Sequence, residues 1–587
     1  MRTPAAIALL ALTLSVACNG DDDGPGPVVE PEPEPVQREL LSAEARLVRA
    51  SVSTRGVRPS AEELDQVRAD PAALEALVDA YLADPAFGDT IKSMHAELFL
   101  TRTDADNQLP SVGLAEDYTA NQIHEASAEE PLELVRHVVM NHRPYTEIVT
   151  ADYMLANEVV AAMYGIELDP AVSGWQEARW PDGRPHAGVL SSSQLWRRHV
   201  SAGSNFHRLR ANVVAETLLC DSFAARDLTV DGGVDLTDEA AVARAVRENA
   251  NCVGCHQALD PLAANLWGFK RQIDPRAVEG AHENQACAPD PDLRIPPIDE
   301  GDLPTDYCYP LVMYTPAKED RWVELDLRAP GFYGTPTPTL ADLGDTIAQD
   351  PRFGQCAVRR FYSWFSQVDP ADIPLDLVKD LRDDFIASNY DARALSRQIL
   401  LSEPFAAVRP VEPGDAPLLS LRPEAYGAIV EDLTGFVWTA VPSGTGCGAS
   451  CWDDVDLTTS DRWGYRALFG GIDGFQILQP THTATPNKVL VLQRLAAEAS
   501  GYVVENDFGK PAAERHLLQA VEADTTDQAT VEAQLAALHE RILGSSSDED
   551  VAEAYGLFEA IRADADPRTA WTVVLTMLLQ DPRLVYY

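Results

Sequence analysis

Two cysteines and a histidine stand together in the segment Cys252-Val253-Gly254-Cys255-His256. This CxxCH spacing is the attachment pattern of a c-type haem, in which each thiol can form a thioether bond to a haem vinyl group. The adjacent imidazole then serves as the proximal ligand of the iron. The segment therefore predicts one covalently bound haem c, held by Cys252, Cys255 and His256.

Two other kinds of site also use a CxxC pair. A redox-active dithiol of the thioredoxin type needs a βαβ context, whereas the flanking sequence is helical in pattern. A zinc site needs a second Cys/His pair, and the sequence offers none at the same two-residue spacing. A disulfide or metal role stays the alternative to haem. The residues that follow the motif are predicted to form a short helix that ends before Pro261.

The sixth ligand of such an iron can come from several places. Met313 follows His256 at a plausible downstream distance, and a thioether ligand raises the potential of an electron carrier. Its alternative is a core methionine. His207 is the competing candidate, and its alternative is a histidine on a helix surface. His199, His282 or no sixth ligand at all are the remaining options.

Four further side chains are candidates for holding the porphyrin. Arg208 and Arg210 precede the motif and are predicted to pair with a propionate through charge-assisted hydrogen bonds, or else to be surface arginines. Trp267 and Phe269 follow the motif and are predicted to pack against the porphyrin and keep it dry, or else to fill the core.

The N-terminus predicts export. An apolar stretch from Ala5 to Val16 follows a basic start and is too short to be a stable membrane span. Residues 14–18 look like a bacterial lipobox, with Cys18 as the lipidated first residue of the mature chain; ordinary signal cleavage nearby is the alternative. Residues 19–37 read as an extended acidic tether. We expect a protein lipid-anchored to a bacterial membrane, in the periplasm or on the outer surface.

Composition narrows the partners. The formal net charge of −46 argues against nucleic acid as a partner. The expected partners are the membrane, which the protein contacts through its lipid anchor, and a redox partner protein. The acidic residues between Cys287 and Cys308 lack an EF-hand frame, so a solvated loop is favoured over a calcium site.

Disulfides are expected, since six cysteines remain after lipid and haem attachment and an oxidising compartment permits them. The predicted pairs are Cys287–Cys308, Cys447–Cys451 and, by elimination, Cys220–Cys356.

The fold is predicted to be mainly α. Apolar residues recur at helical spacing, most clearly at Leu74, Leu77, Val78 and Tyr81, and β signals are sparse. We expect a multi-domain helical protein with an embedded cytochrome c-like haem module and few short strands. The predicted ranges are 1–18 (lipoprotein signal peptide), 19–37 (tether), 38–225 (N-terminal helical domain), 226–330 (haem domain with acidic loop), 331–410 (helical domain) and 411–587 (C-terminal helical domain).

A short unit recurs four times, as Asp84-Pro85, Asp350-Pro351, Glu403-Pro404 and Asp581-Pro582. In each copy a helix is predicted to end, the acidic residue to cap the next helix, and the proline to occupy its first position.

Four stretches together resemble a family of large bacterial c-type haem lipoproteins of unknown function, of the planctomycete and myxobacterial type. They are residues 141–153, similar to the family's "NRPYTE…TADYT" segment, then 205–210, 252–269 and 433–473. The resemblance implies a helical fold and a haem cofactor, and it implies no particular reaction.

Three functions follow from these observations. The first is electron transfer through a single covalent haem in an exported lipoprotein. The second is a haem-dependent, peroxidase-like oxidoreductase with an open distal position. The third is a surface binding or structural lipoprotein whose haem is structural or sensory.

Overall fold

The computed structural model describes residues 37–103, 115, 117–201, 205–226, 234–235, 237–269, 314–440, 455–461 and 463–587. The described residues are 59% helical with few short strands, which confirms the prediction of a mainly α protein. Residues Arg38–Tyr587 form one compact unit. Within the described ranges no helix is long and apolar enough to cross a membrane.

The first part of the chain is a succession of helices. They are α1 (Ala43–Arg55), α2 (Ala61–Ala69), α3 (Ala73–Ala83), α4 (Pro85–Phe99), α5 (Ala120–Met140), α6 (Glu147–Thr150), α7 (Glu158–Tyr164), α8 (Ser193–Arg198), α9 (Arg208–Leu219), α10 (Glu239–Glu248), α11 (Ala250–Ala264) and α12 (Arg321–Glu324). A 3-10 turn covers Pro316–Lys318.

The second half continues in the same way. Its helices are α13 (Leu340–Gln349), α14 (Pro351–Ser366), α15 (Leu375–Ala387), α16 (Ala392–Leu401), α17 (Pro423–Thr434), α18 (Tyr465–Leu468), α19 (Pro486–Phe508), α20 (Gln528–Leu543), α21 (Asp548–Asp564), α22 (Pro567–Leu579) and α23 (Pro582–Val585), with a 3-10 turn at Ala512–Glu514.

Strands in the described residues form three small antiparallel pairs. β1 (Met154–Ala156) pairs with β2 (Gln176–Ala178), β3 (Gly331–Phe332) with β4 (Thr335–Pro336), and β5 (Thr439–Ala440) with β6 (Val455–Asp456). In the first pair Met154 lies opposite Ala178.

The interior of the described residues contains two large hydrophobic clusters and a smaller third one that includes Ile123 and Trp180. The N-terminal cluster draws its buried residues from Leu47 through Leu419 and includes Leu262 and Leu266, which follow the CxxCH motif. The C-terminal cluster runs from Leu421 to Val585 and takes in Val52 of α1. The N-terminal cluster thus contains residues from both sides of positions 225 and 330, and the domain boundaries placed there stay a prediction.

Three of the four acid–proline units start helices as predicted. The carboxylates of Asp84, Asp350 and Asp581 each accept a hydrogen bond from the backbone N–H two residues later, at 2.9, 2.8 and 2.8 Å. In each case the proline is the first residue of the helix, where it gives up no intrahelical hydrogen bond.

The prediction for the fourth unit, Glu403-Pro404, is wrong, because no helix begins there. The chain after Pro404 instead pairs with the start of the compact unit. The Leu41 N–H donates to the Ala406 carbonyl at 2.9 Å, and the Val408 N–H donates to the Glu39 carbonyl at 2.9 Å. These long-range backbone hydrogen bonds require an extended chain, and glutamate is a weaker helix cap than aspartate.

One predicted disulfide is confirmed. Cys220, at the end of α9, is bonded to Cys356 in α14 across a sequence separation of 136 residues. The bridge ties the helix that precedes the CxxCH motif to the second half of the chain. The pairs Cys287–Cys308 and Cys447–Cys451 lie outside the described residues, as do Cys18, the tether up to residue 36, His282 and Met313.

Candidate functional site

The CxxCH motif lies in the first half of α11. Asn249 ends α10 and also caps α11, since its side chain accepts a hydrogen bond from the Asn251 N–H at 3.0 Å. Cys252, Cys255 and His256 follow at helical positions i, i+3 and i+4, so they share one face of the helix. All three are half-buried, and both cysteines are free thiols.

Helix α11 does not end before Pro261, so that prediction is wrong. It continues to Ala264 with the proline inside it. A proline in a helix costs one backbone hydrogen bond. Here the last turn is retained because Leu262, Ala263 and Ala264 are buried in the protein interior. Gly331 of β3 lies against the proline ring, where an added Cβ would be 3.5 Å from the Cβ of Pro261.

A carboxylate orients the imidazole of His256. Asp260, one helical turn later, places its Oδ1 atom 2.8 Å from Nδ1 of His256. Burial raises the pKa of Asp260, but hydrogen bonds from His256 and Arg208 outweigh it and leave the pKa below its usual range. An ionised carboxylate can only accept, so Nδ1 carries the proton. The Nε2 atom of His256 therefore keeps a lone pair for a metal ion.

Arg208 holds the same carboxylate from the other side. Its Nε atom donates to Oδ1 of Asp260 at 2.8 Å and its Nη2 atom donates to Oδ2 at 3.2 Å. The side chains of Arg208 and Asp260 are 18% and 9% exposed, so the pair is largely screened from water. Arg208, Asp260 and His256 thus form a connected unit between α9 and α11.

Arg210 is buried and donates hydrogen bonds to backbone carbonyls in the interior. Its Nε atom donates to the His199 carbonyl at 2.6 Å, and its Nη2 atom donates to the Trp196 carbonyl at 2.7 Å. These bonds satisfy carbonyls at the end of α8, which would otherwise lack partners. Arg208 and Arg210 therefore serve different sites although they are two residues apart.

The remaining candidates lie in the core. His207 is buried with φ +63° at the start of α9, and its ring meets that of Trp267 edge-on at a centroid distance of 4.8 Å. Phe269 is buried against Tyr314, also edge-on, at 4.8 Å. His199 lies with Nε2 3.0 Å from the Phe99 carbonyl, and burial lowers its pKa to about 4.

A second polar group adjoins Cys255 and was not expected from the sequence. Asp221 accepts hydrogen bonds from Nη2 of Arg226 at 2.9 Å and from the hydroxyl of Tyr333 at 2.8 Å, and Arg352 approaches it at 3.4 Å. The pKa of Arg226 is raised, first by Asp221 and then by the neighbouring Cys255 thiol. A guanidinium therefore lies beside one of the two cysteines of the CxxCH motif.

Only one of the residues that the sequence analysis missed could have been identified from the sequence. Asp260 could have been found, because a carboxylate four residues after His256 shares its helix face. Asp221, Arg226 and Tyr333 carry no such signal. Across the described parts of the chain, no group of three or more His, Cys, Asp or Glu side chains could hold a metal ion.

The N-terminal helices are similar to a known family. The family model described as PSD4, protein of unknown function (DUF1592), matches residues 60–166. This domain occurs in planctomycete-type cytochrome c-like proteins. The matched range contains the segment 141–153 and ends before the CxxCH motif. Comparisons with curated proteins and with solved structures found no match.

Proposed function

We propose that this chain is an exported electron-transfer lipoprotein with a single haem c bound covalently to Cys252 and Cys255 and ligated by His256. The observation that carries the proposal is the arrangement on α11. Two free, half-buried thiols share a helix face with a histidine whose Nδ1 is held by Asp260 and whose Nε2 is open to a metal. These are the donor types and the ligand orientation that a c-type haem requires.

The haem, when bound, supplies a one-electron couple between Fe(II) and Fe(III). The protein supplies the surroundings. Asp260 fixes the tautomer and the ring orientation of His256, and Arg208 fixes Asp260. Arg226, held by Asp221, places a positive charge beside the Cys255 thiol.

The proposal includes a location outside the cytoplasm. The leader with Cys18 and the CxxCH motif are independent sequence signals for the same side of the membrane. The Cys220–Cys356 disulfide supports an oxidising compartment. Replacing Cys18 with serine is expected to release the protein to the soluble fraction with its haem content unchanged. Retention in the membrane fraction would mean that another anchor exists.

The test of the cofactor is haem staining after denaturing electrophoresis. Thioether bonds survive denaturation, so the wild-type band is expected to stain, and Cys252→Ala with Cys255→Ala is expected to abolish the stain. The matched control is Cys220→Ala with Cys356→Ala, which removes two cysteines outside the motif and is expected to keep the stain. A stained band in the motif variant would refute the assignment.

A second candidate is a haem-dependent, peroxidase-like oxidoreductase. The contact between Asp260 and His256 favours it, because a carboxylate partner makes the imidazole a more basic ligand and stabilises the more oxidised iron. An absorption spectrum separates the two functions. A six-coordinate, low-spin spectrum with a methionine band supports the carrier, whereas a high-spin spectrum that shifts on adding peroxide supports the enzyme.

A further inference from the structure

We infer that Asp260 and Arg208 are positioning residues that set the reduction potential of the haem, with Asp260 lowering it and Arg208 limiting that effect. The inference rests on the proposed function, because it needs a haem ligated by His256. It goes further by assigning opposite electronic roles to two residues that do not belong to the CxxCH motif.

The geometry concentrates two hydrogen-bond donors on one oxygen. Oδ1 of Asp260 lies 2.8 Å from Nδ1 of His256 and 2.8 Å from Nε of Arg208, while Oδ2 takes the second arginine contact at 3.2 Å. The carboxylate is 9% exposed, so water competes weakly for these bonds. Any change at Arg208 therefore alters the charge that Asp260 presents to His256.

The arginine is held in place by the start of α9. The backbone turns at Phe206 and His207, which have φ of +51° and +63°, so the helix begins at Arg208 itself. The side chain of Asn205 accepts a hydrogen bond from the Leu209 N–H at 2.9 Å. Because α9 packs on α11, Arg208 reaches a carboxylate that lies 52 residues later in the chain.

The two residues have opposite effects for a physical reason. A carboxylate that accepts the Nδ1–H bond pushes electron density toward Nε2, which favours Fe(III) over Fe(II) and lowers the potential. The hydrogen bonds from Arg208 to the carboxylate withdraw part of that electron density. The positive charge of Arg208 also favours Fe(II), the less positive state of the iron. Losing Asp260 should raise the potential, and losing Arg208 should lower it.

The experiment uses the full-length holoprotein in a mediated redox titration. Asp260→Asn keeps an acceptor oxygen but removes the charge, and is expected to shift the Fe(III)/Fe(II) equilibrium about tenfold toward Fe(II), which is about 59 mV upward for one electron. Arg208→Gln is expected to shift it downward. The matched control is Asp152→Asn, which breaks an Asp–Arg contact of 2.6 Å with Arg179, outside α9 and α11.

A second readout reports on the ligand bond alone. The iron–histidine stretching frequency, measured by resonance Raman scattering on the ferrous protein just after photolysis of bound carbon monoxide, follows the strength of the Nδ1 hydrogen bond. It is expected to fall in Asp260→Asn, to stay near the wild-type value in Asp260→Glu, and to be unchanged in Asp152→Asn. A merely structural role of Asp260 would not separate the asparagine and glutamate variants.

The outcomes distinguish this inference from the proposed function. Absence of covalent haem in the wild type defeats the proposed function. Covalent haem with equal frequencies and potentials in wild type and Asp260→Asn overturns the inference alone. If Asp260→Asn does not fold, Arg208→Gln decides, because it leaves the Asp260–His256 bond in place. An unchanged or raised potential in that variant contradicts the assignment.

Discussion

The Nε2 atom of His95 lies 2.7 Å from the hydroxyl oxygen of Tyr145, and both side chains are buried. The Nδ1 atom of the same ring lies 2.8 Å from the Ile91 carbonyl, which can only accept. Nδ1 therefore carries the proton, and Tyr145 donates its hydroxyl to Nε2. Burial lowers the pKa of His95 to about 4, so the ring is neutral at ordinary pH.

This buried histidine predicts a loss of stability in acid. The native pKa of about 4 lies below the ordinary value of 6.5, so the unfolded chain takes up the proton first. The contribution to the free energy of unfolding is complete above pH 6.5 and is lost as the pH falls through 4, about 3 kcal/mol in all. Denaturant titrations of the wild type and His95→Gln between pH 4 and 8 should show a smaller acid slope in the variant. Parallel slopes would contradict this.

A buried carboxylate predicts the opposite trend. Ser192 donates its hydroxyl to Oε2 of Glu130 at 2.5 Å, yet burial dominates and raises the pKa of Glu130 to about 7. Stability from the neutral form is present below pH 4.5 and is lost as the pH rises through 7. Glu130→Gln mimics the neutral acid. It should unfold with a free energy on the order of 3 kcal/mol higher than the wild type at pH 8, with no gain below pH 4.5.

Two helix glycines predict opposite responses to the same substitution. A Cβ on Gly344 of α13 would lie 2.0 Å from the Val149 carbonyl oxygen, a backbone atom that cannot move aside cheaply. A Cβ on Gly501 of α19 would meet open space. Gly344→Ala should lower the free energy of unfolding by about 3 kcal/mol, and Gly501→Ala should raise it by about 0.5–1 kcal/mol. Equal effects in denaturant titrations would rule out the close packing of α13 on residue 149.

The Cys220–Cys356 bridge predicts sensitivity to reduction. It closes a loop of 136 residues, and such a loop greatly restricts the unfolded chain. Cys220→Ala with Cys356→Ala should lower the free energy of unfolding by about 2–4 kcal/mol. Reductant should bring the wild type toward the variant's value and leave the variant itself unaffected. A variant as stable as the oxidised wild type would show that the bridge adds nothing.

Much of the local structure is readable in the sequence. Asp84, Asp350 and Asp581 each cap the helix that starts at the next residue, because a capping bond spans only two residues and depends little on the rest of the fold. The CxxCH motif is equally local, since a helix alone brings Cys252, Cys255 and His256 to one face. The mainly α class and the Cys220–Cys356 pair were also predicted.

Tertiary packing decided the remainder. Glu403-Pro404 has a sequence like the three helix starts. The residues after it instead form backbone hydrogen bonds with the distant segment at Glu39 and Leu41, and these require an extended conformation. Helix α11 passes through Pro261 because burial of the following residues compensates for the lost hydrogen bond.

The same holds at the candidate site. A basic pair two residues apart gives no sign that Arg210 is buried against α8 while Arg208 holds Asp260, 52 residues away. Local hydrogen bonds are set by neighbouring residues and can be inferred from sequence. The partner of a long side chain depends on which helices pack together, and that is determined by the whole hydrophobic interior.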